Sequence, residues 1–485
     1  MSEAIDDTNR DLKLAPTAMR IGAERVTTDA TVEVCSPFSG AVAGRVSVGT
    51  EAHLDAAVAA ALVVHRAGPP PAFERARVLD RAAELLEARA EDFAQTISRE
   101  SAKPIKTARV ETARAVETFR FSAAVARTLG GEIIPLDASS VGVGKLGFVQ
   151  RVPIGVVAAI SPFNFPLNLV AHKLAPAIAA GCPVVLKPAS ATPLTALKLA
   201  NLLLDECGLP EGWLNVVTCS GKTANHLVTH DDVAMITFTG SPGVGWGIRA
   251  AAPRKKVSLE LGNNAPVVIE ADGDWRGAAK KISVAGYSFA GQSCISVQRV
   301  YVHSSIHDQF VAELVAGVEA LNVGDPADDS TDVSALITPD NTERVHDWIG
   351  EAVQAGATLA TGGDVVDGVL APTVLTGVQP DMEVCRTEVF GPLVGVAAYD
   401  DFTEALRLAN DSRYGLQASV FTSDIGKALQ AARSLEFGGV LVNEVPTWRA
   451  DHMPYGGLRD SGNTREGPPY TAREMTEERL IVIQP

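Results

Sequence analysis

One cysteine in the second half of the chain has a local setting that is typical of a nucleophile. Cys294 follows Gly291 and Gln292 at the point where an apolar helical stretch meets a strand-like run. Backbone N–H groups at a helix end lower the pKa of a nearby thiol and stabilise an adjacent oxyanion. A buried, inert cysteine is the alternative interpretation. The sequence therefore makes Cys294 a candidate nucleophile.

A carboxylate and an amide offer the partners that such a nucleophile needs. Glu260 lies 34 residues before Cys294, in the apolar run 257–261. A carboxylate in apolar surroundings has a raised pKa, which suits a general base. Asn164, in the turn 161–166, carries a side-chain amide that can donate a hydrogen bond to an oxyanion. A solvated strand end and a turn-capping asparagine are the alternatives.

A glycine-rich turn is typical of a site for a phosphate-bearing ligand. Residues 238–245 run from a strand through Gly240 and Ser241 into the start of a helix, where backbone N–H groups bind phosphate. An ordinary strand-to-helix turn is the alternative. Two other matches are interpreted as coincidental: the GxGxxG run 142–147 precedes an extended segment, and the HxxxH run 226–230 lacks a third metal ligand. No metal site is predicted.

The elements before residue 153 are mainly helical. Apolar side chains at helical spacing predict helices over 73–97 and 105–129, the second ending at a pair of glycines. The glycine-rich, alternating run 141–152 predicts a hairpin or an extended arm. These elements precede the segments that carry the candidate chemistry.

From residue 153 onward, short apolar strands alternate with helical segments, and a second α/β stretch spans 275–445. This alternation predicts an α/β protein with a mostly parallel, doubly wound sheet. The helix after Lys187 is expected to begin with Thr192 as its N-cap and Pro193 as its first residue.

Composition and charge narrow the class of protein. The 485 residues include 42 Lys and Arg against 58 Asp and Glu, a net charge of −16, and 46% are hydrophobic. These values exclude a disordered chain and argue against nucleic acid or an anionic membrane as the main partner. Residues 1–20 lack the apolar core of a secretory signal, and no apolar run reaches the roughly 18 residues of a spanning helix. Six scattered cysteines indicate reduced thiols and a cytoplasmic enzyme.

Together these motifs resemble the aldehyde dehydrogenase superfamily over about residues 30–482. The resemblance also rests on the runs Lys187-Pro188-Ala189-Ser190, Glu388-Val389-Phe390-Gly391-Pro392, 453–462 and Arg465-Glu466-Gly467. It implies a doubly wound parallel-sheet cofactor domain (1–124 and 146–260), an α/β catalytic domain (261–460) and a small β oligomerisation arm (125–145 and 461–485). The arm implies a homodimer or a homotetramer.

The resemblance implies NAD(P)-dependent oxidation of an aldehyde to its carboxylic acid. Cys294 matches the family's nucleophile, which forms a thiohemiacetal and then a thioester. Asn164 and the backbone N–H of Cys294 match the oxyanion donors, and Glu260 matches the base that activates water. Glu466 matches a second carboxylate that relays protons in hydrolytic relatives, and pairing with a nearby arginine is the alternative.

The implied cofactor is NAD or NADP. The matching residues are Ser161, Phe163, Lys187, Ser190, Gly221, Phe238, Gly240, Ser241, Leu261, Glu388 and Phe390. Ser190 stands where NAD-preferring members often carry a glutamate that repels a 2′-phosphate. We therefore expect NADP to be accepted and favoured, with Lys222 nearby in support. The adenine-side contacts are expected to depart from the family, because the turn 218–222 has a single glycine.

The positions that match the family's aldehyde tunnel are Phe165, Asn168, Leu169, His172, Ser293, Ile295, Arg449 and Tyr455. Asn168, His172 and Arg449 make this tunnel polar, and the run 443–455 resembles the branch that includes lactaldehyde and phosphonoacetaldehyde dehydrogenases. Arg449 suits bidentate pairing with an anion, with a salt bridge to Asp451 or another surface carboxylate as the alternative. The expected substrate is a small polar aldehyde, and the hypothesis for Arg449 is that this aldehyde is anionic.

Three other functions are open to this sequence. A CoA-acylating semialdehyde dehydrogenase would pass the acyl group to CoA, although such relatives typically lack the glutamate at the position of Glu260. A cofactor-independent thiol esterase would use Cys294 without a histidine partner that the sequence identifies. A non-catalytic binding protein is disfavoured because Cys294, Asn164 and Glu260 are all present.

Overall fold

The computed structural model describes residues 15–485. The prediction that residues 1–20 lack a secretory signal therefore falls mostly outside the described residues. The strands are β1 (Met19–Ile21), β2 (Glu24–Val26), β3 (Thr31–Cys35), β4 (Val42–Ser47), β5 (Ile133–Ile134), β6 (Leu146–Pro153), β7 (Val156–Ile160), β8 (Val184–Lys187), β9 (Leu214–Val216), β10 (Val233–Thr239), β11 (Lys256–Glu260), β12 (Ala265–Ile269), β13 (Val297–His303), β14 (Thr358–Thr361), β15 (Val365–Val366), β16 (Val369–Leu370), β17 (Thr373–Thr376), β18 (Leu393–Tyr399), β19 (Gln417–Phe421), β20 (Gly439–Val442) and β21 (Thr476–Ile483).

The helices are α1 (Glu51–Ala67), α2 (Ala72–Ala88), α3 (Ala90–Ser101), α4 (Ile105–Thr128), α5 (Asn168–Ala180), α6 (Leu194–Asp205), α7 (Gly221–Thr229), α8 (Pro242–Ala251), α9 (Trp275–Ala285), α10 (His307–Glu319), α11 (Pro339–Gln354), α12 (Glu383–Arg386), α13 (Phe402–Asn410), α14 (Ile425–Ser434) and α15 (Pro468–Glu474). Within residues 15–485, no helix combines the length and apolar character that crossing a membrane requires.

The first sheet has the strand order β11-β10-β7-β8-β9-β1-β2. Its five strands from β11 to β9 are parallel, and β1 and β2 close one edge in antiparallel fashion. Val157 and Ala159 of β7 pack into a core with α2 to α6, whereas Val156 and Ala158 pack into a second core with α1, α7 and α8. Because alternate side chains of a strand face opposite ways, helices cover both faces, and the doubly wound parallel sheet is confirmed.

The second sheet has the order β14-β17-β18-β13-β12-β19-β20 and is parallel except for β14. Val267 and Ile269 of β12 pack against α9 to α11, and Val268 faces α13 and α14. All seven strands of this sheet lie within the range 261–460 that was predicted as the catalytic domain.

A small antiparallel sheet has the order β21-β6-β5. Its central strand is Leu146–Pro153, so this strand lies with the arm and not with the cofactor domain to which residues 146–260 were assigned. The correction has a simple cause, because eight residues of β6 pair with the C-terminal strand, a partner that the local pattern cannot show. Ile133, Leu480 and Val482 are exposed in this sheet.

Two helix predictions differ from the structure in detail. The predicted helix 73–97 is divided into α2 and α3 at Arg89, which leaves helical geometry (φ −117°, ψ 24°) and pairs with Glu206. Helix α6 begins at Leu194, one residue later than expected. Its N-cap is Pro193, whose side chain accepts no hydrogen bond from the first turn of the helix.

The acceptor at the start of α6 comes from elsewhere in the chain. The backbone N–H groups of Leu194 and Thr195 donate to the buried carboxyl of Glu100, at the end of α3. The hydroxyl of Thr192 donates instead to the carbonyl of Phe163, at 3.3 Å. The predicted Thr192 cap is therefore wrong, because a carboxyl 94 residues away satisfies the helix N-terminus.

Candidate active site

Three candidate catalytic side chains meet in one cavity of about 510 Å³. Cys294 precedes β13, Glu260 ends β11, and Asn164 follows β7. Because β7 and β11 flank β10 in a parallel sheet, their carboxyl ends lie at the same edge. All the predicted cofactor residues line this cavity: Ser161, Phe163, Lys187, Ser190, Gly221, Phe238, Gly240, Ser241, Leu261, Glu388 and Phe390.

The side chain of Cys294 is partly buried in the wall of this cavity. Burial raises the pKa of the Cys294 thiol to about 12, and a hydrogen bond with the Tyr455 hydroxyl, with Sγ and Oη 2.9 Å apart, opposes this rise. The expected lowering of the pKa by a helix end is wrong. The chain before Cys294 turns through Phe289 and Ala290 with positive φ (51° and 52°), so no regular helix ends at the thiol.

The side chain of Asn164 is tied to the loop that carries the cysteine. Its Nδ2 donates to the backbone carbonyl of Gln292 at 3.0 Å, and Asn164 itself is buried. Gln292 is fixed in turn, because its Oε1 accepts from the backbone N–H of Ile337 at 2.9 Å. One amide therefore links the turn after β7 to the nucleophile loop, which suits the predicted oxyanion donor.

Glu260 is a buried carboxyl without a hydrogen-bond partner among the described residues. Burial, followed by the nearby charge of Glu466, raises the pKa of Glu260 well above its usual range. A raised pKa makes the deprotonated form a stronger base. The sequence expectation for the pKa of Glu260 agrees with this environment.

Glu466 is the ionised partner of Arg449. Its Oε1 accepts a hydrogen bond from Nη2 of Arg449 at 2.7 Å, and both side chains are about 95% buried. Burial raises the pKa of Glu466, but the neighbouring His172, Arg449 and Lys173 outweigh it and hold the pKa below its usual value. Of the two predicted roles, pairing with an arginine is what the structure shows.

The segment 461–463 covers the outer edge of β11. The backbone N–H of Asn463 donates to the carbonyl of Leu259 at 3.2 Å, and that of Leu261 donates to Ser461 at 3.0 Å. The side-chain oxygen of Asn463 also accepts from the N–H of Leu259. The strand that carries Glu260 is thus held on its outer side by the C-terminal part of the chain.

The main cavity has the features of a dinucleotide site. Ala224, Val228, Val244 and Ile248 form an apolar wall between α7 and α8, suited to a planar base. Ser241 is the N-cap of α8, and a Cβ at the next glycine, Gly243, would meet no atom within 4 Å. The backbone N–H groups there are open to a pyrophosphate.

Side chains at the two ends of this cavity complete the site. Nζ of Lys187 lies 3.3 Å from Oγ of Ser190 at one end. At the other, the rings of Phe163 and Phe390 meet edge to face with their centroids 5.8 Å apart, and burial raises the pKa of Glu388 to about 8. The residues present fit NAD or NADP.

A second cavity, of about 560 Å³, reaches the other side of the cysteine. Of the predicted tunnel residues, Phe165, Ser293 and Ile295 line it, and Leu169 lines the main cavity. Three cationic side chains, Arg114, Lys280 and Lys281, and one carboxylate, Glu111, also line the second cavity. Lys281 pairs with Glu444 at 2.7 Å.

Asn168, His172, Arg449 and Tyr455 line neither cavity and form a buried cluster instead. Nε2 of His172 lies 3.0 Å from Oδ1 of Asp451 and 3.2 Å from Nη2 of Arg449. Asp451 also accepts from Asn168 and, through both oxygens, from Arg114. Arg114 and His172 occupy Asp451, so the salt bridge that was the alternative role of Arg449 forms with a different carboxylate, the buried Glu466. Arg449 stacks on the ring of Tyr455, 3.8 Å from its centroid.

Comparison with known proteins identifies this arrangement. The model of the aldehyde dehydrogenase family matches residues 25–481. The chain belongs to the aldehyde dehydrogenase family. It is 47% identical over 464 residues to a 3-sulfolactaldehyde dehydrogenase of Priestia megaterium, covering 96% of this chain and 97% of that one. It is 39% identical over 414 residues to a lactaldehyde dehydrogenase of Methanococcus vannielii, covering 84% of this chain and 88% of that one.

Solved structures of aldehyde dehydrogenases share the fold. An NADP-dependent glyceraldehyde-3-phosphate dehydrogenase from Bacillus halodurans, complexed with NADP, superimposes with a TM-score of 0.94 at 36% identity, covering 97% of this chain and 99% of that one. Both NADP-dependent and NAD-dependent enzymes resemble the chain. The protein is an NAD(P)-dependent aldehyde dehydrogenase that oxidises small aldehydes, and the resemblance to the lactaldehyde dehydrogenase branch is confirmed.

The sequence analysis missed several side chains of this aldehyde dehydrogenase site. Arg114 lines the second cavity, and Glu111 and Lys103 lie against the turn that carries Asn164. One signal was available, because Thr107, Glu111 and Arg114 follow each other at helical spacing and interrupt the apolar side of α4. Lys103, in the connection before α4, gives no comparable signal.

Proposed function

We propose that this enzyme oxidises a small anionic aldehyde to its carboxylic acid through covalent intermediates on Cys294. One observation carries the proposal: Cys294, Asn164 and Glu260 line the cavity that fits the dinucleotide, and the residues on either side of Cys294 line a second cavity with cationic walls. The 3-sulfolactaldehyde and glyceraldehyde-3-phosphate dehydrogenases named above act, by their names, on anionic aldehydes.

The first step is attack of the Cys294 sulfur on the carbonyl carbon, which forms a C–S bond and an oxyanion. With its pKa near 12 the thiol is protonated at neutral pH, so its proton must leave as the bond forms. The proton passes to water in the open cavity, and Glu260 acts only in the later hydrolysis. The side-chain amide of Asn164 and the backbone N–H of Cys294 donate to the oxyanion.

Loss of hydride from this thiohemiacetal leaves a thioester on Cys294. When bound, the nicotinamide cofactor supplies the hydride acceptor. Glu260 then takes a proton from the water that attacks the thioester. The C–S bond breaks, the acid is released, and the proton passes from Glu260 to the leaving sulfur, which restores the thiol. Glu260 supports release to water, which distinguishes this scheme from transfer of the acyl group to CoA. Glu466 is proposed to stay ionised on Arg449 and to act by keeping the pKa of Glu260 high.

The anionic group of the substrate is proposed to lie among the cations of the second cavity. The Nε and Nη2 atoms of Arg114 bind Asp451, and Nη1 has no hydrogen-bond partner among residues 15–485. Lys280 is exposed at the same cavity and makes no ion pair with any of the residues 15–485. Arg449, the anchor suggested by the sequence, pairs with Glu466 and lines neither cavity, so Arg114 is proposed as the anchor instead.

NADP is proposed as the preferred cofactor. Ser190 is exposed in the main cavity and places no carboxylate beside the Lys187 ammonium. The 2′-phosphate of NADP would therefore meet the Ser190 hydroxyl and the Lys187 ammonium, at a position where a glutamate would repel it. The exposed Lys222, in the first turn of α7, adds to the positive charge on this side.

The arm and the cysteines support two further proposals. The exposed apolar side chains of the small β5–β6–β21 sheet suit an interface, so we propose a homodimer or homotetramer. All six cysteines are unpaired, which supports the proposal of a cytoplasmic enzyme.

Initial rates of NAD and NADP reduction test the proposed function. The aldehydes are 3-sulfolactaldehyde, glyceraldehyde 3-phosphate, phosphonoacetaldehyde and succinic semialdehyde, with lactaldehyde and glycolaldehyde as neutral counterparts. We expect turnover that Cys294→Ala abolishes, with the highest kcat/KM for an anionic member and for NADP. A preference for the neutral aldehydes would contradict the anion site, and no turnover by folded protein would contradict the reaction.

A further inference from the structure

A fully buried ion pair lies outside the proposed mechanism. Lys103, in the connection between α3 and α4, and Glu111 of α4 have side chains with no solvent exposure. Nζ of Lys103 donates to Oε2 of Glu111. Two charges removed from water need further polar contacts to be tolerated, and those contacts show what the pair holds in place.

The second hydrogen bond of Lys103 is to the oxyanion turn. Nζ donates to the backbone carbonyl of Asn164 at 2.6 Å. The same ammonium lies 3.9 Å from the ring centroid of Phe165 and 4.6 Å from that of Phe289. Asn164 and Phe165 belong to the turn after β7, and Phe289 belongs to the loop that leads to Cys294. One cation therefore contacts both segments that must meet in the active site.

Glu111 holds the other end of the same turn. Its Oε1 accepts from the backbone N–H of Leu167 at 2.9 Å and from that of Asn168 at 3.1 Å. These are N–H groups at the start of α5, which an acceptor must satisfy. Lys103 and Glu111 together fix the turn 164–168 before and after Phe165.

The cysteine loop needs an outside support of this kind. Phe289 has φ 51° and ψ 42°, a left-handed conformation that costs a residue with a side chain energy and persists only where its surroundings impose it. The aromatic ring of Phe289 lies on the Lys103 ammonium, and its carbonyl accepts from Gln292. Lys103 lines neither cavity, so it acts on the site through these contacts.

We propose that Lys103, paired with Glu111, is a positioning residue that sets the side-chain amide of Asn164 against the sulfur of Cys294. The inference rests on the proposed function, because it concerns the oxyanion that Cys294 chemistry creates. Displacement of an oxyanion donor by an ångström slows a reaction by up to about a hundredfold. Loss of Lys103 is therefore expected to slow attack by Cys294 without changing cofactor binding.

The test uses p-nitrophenyl acetate, which acylates a nucleophilic thiol and releases p-nitrophenolate without needing the physiological aldehyde. We expect a burst that requires Cys294, and Lys103→Met is expected to slow that burst about tenfold to a hundredfold with an unchanged Kd for NADP. In an Asn164→Ala background the further loss from Lys103→Met is expected to be less than threefold, because the donor that Lys103 positions is already absent. A general structural defect would instead give multiplicative losses.

Two variants control for folding. Lys198→Met removes a lysine of α6 whose ammonium also lies on a phenylalanine ring, 4.9 Å from the centroid of Phe93. This variant is expected to leave the burst unchanged. If Lys103→Met unfolds because Glu111 is left unpaired, the double variant Lys103→Met/Glu111→Gln removes both charges and serves in its place.

A burst within twofold of wild type in a folded Lys103 variant would overturn this inference and leave the proposed function intact. Losses that multiply in the Asn164→Ala background would also overturn it. A wild-type protein with no burst dependent on Cys294 would overturn the proposed function, and the inference with it.

Discussion

Arg449 donates to Glu466 at 2.7 Å inside the protein, and the charge of Glu466 adds to the effect of burial in raising the pKa of Glu260. The two carboxyls thus take different protonation states although both are buried. Arg449, with His172 and Lys173, keeps Glu466 ionised, and Glu260 is left without a partner. This division leaves the unpartnered carboxyl as the one that can gain and lose a proton during catalysis.

Glu260→Gln is expected to separate hydride formation from turnover. The amide cannot take a proton from water, so NADPH should form in a burst of about one equivalent while steady-state kcat falls at least a hundredfold. Rapid-mixing absorbance at the NADPH band measures both phases. A variant that turns over at the wild-type rate would remove Glu260 from the mechanism.

The pH dependence of the wild-type enzyme should report the same group. A base with a raised pKa is protonated at low pH, so hydrolysis should be slow there and should rise as pH passes through that raised value. The midpoint of kcat against pH is expected above the usual carboxyl range. A kcat that is already at its maximum at pH 5 would show that Glu260 is ionised there.

Arg114→Met is expected to affect anionic substrates selectively. Losing the cation that lines the second cavity should raise KM at least tenfold for succinic semialdehyde and less than twofold for glycolaldehyde. Arg120→Met, on the exposed side of the same helix, is the matched control. Equal changes for charged and neutral aldehydes would place the anion elsewhere.

Arg449→Met is expected to give a different result. It leaves Glu466 buried without its arginine, so kcat should fall for every aldehyde, with little difference in KM between charged and neutral ones. A KM increase confined to anionic aldehydes would instead make Arg449 the anion anchor.

Ser190→Glu is expected to shift the cofactor preference from NADP to NAD. A carboxylate here would repel a 2′-phosphate and accept a bond from a ribose hydroxyl, changing the ratio of the two kcat/KM values at least tenfold. Ser190→Ala removes the hydroxyl without adding charge and should change that ratio only a few-fold. Steady-state kinetics with both cofactors decide the matter.

Glu100→Ala is expected to destabilise the fold without touching the active site. Two backbone N–H groups at the start of α6 lose their acceptor, which costs about 1–2 kcal/mol. Denaturant unfolding measures the change. Glu84→Ala, an exposed carboxylate on α2, is the control and should stay within about 0.5 kcal/mol of wild type.

The order of elements was predictable because it depends on local patterns. Strands β7 to β12 and the helices between them follow from apolar runs of the right length, and Cys294, Glu260 and Asn164 follow from motifs a few residues long. The main cavity gathers all the cofactor positions that the resemblance implied.

The remaining features depend on contacts between distant parts of the chain. Glu100 supplies the acceptor for a helix that begins 94 residues later. Asp451 pairs with Arg114 and His172, whereas a local pattern would pair it with Arg449. The predicted direction of the pKa shift of Cys294 was wrong, because burial raises the pKa of the thiol by more than a local turn lowers it. A short motif identifies a thiol, but only the packed structure gives its burial.

The covering of β11 by residues 461–463 has a consequence for the order in which the site is made. During synthesis the chain emerges with its nucleophile and its base well before Tyr455, Glu466 and this edge segment. A nascent enzyme thus carries the reactive thiol while its hydroxyl partner and the outer side of the base-bearing strand are still missing. Catalytic competence is gained only once residues 455–466 have been made and have closed over the site.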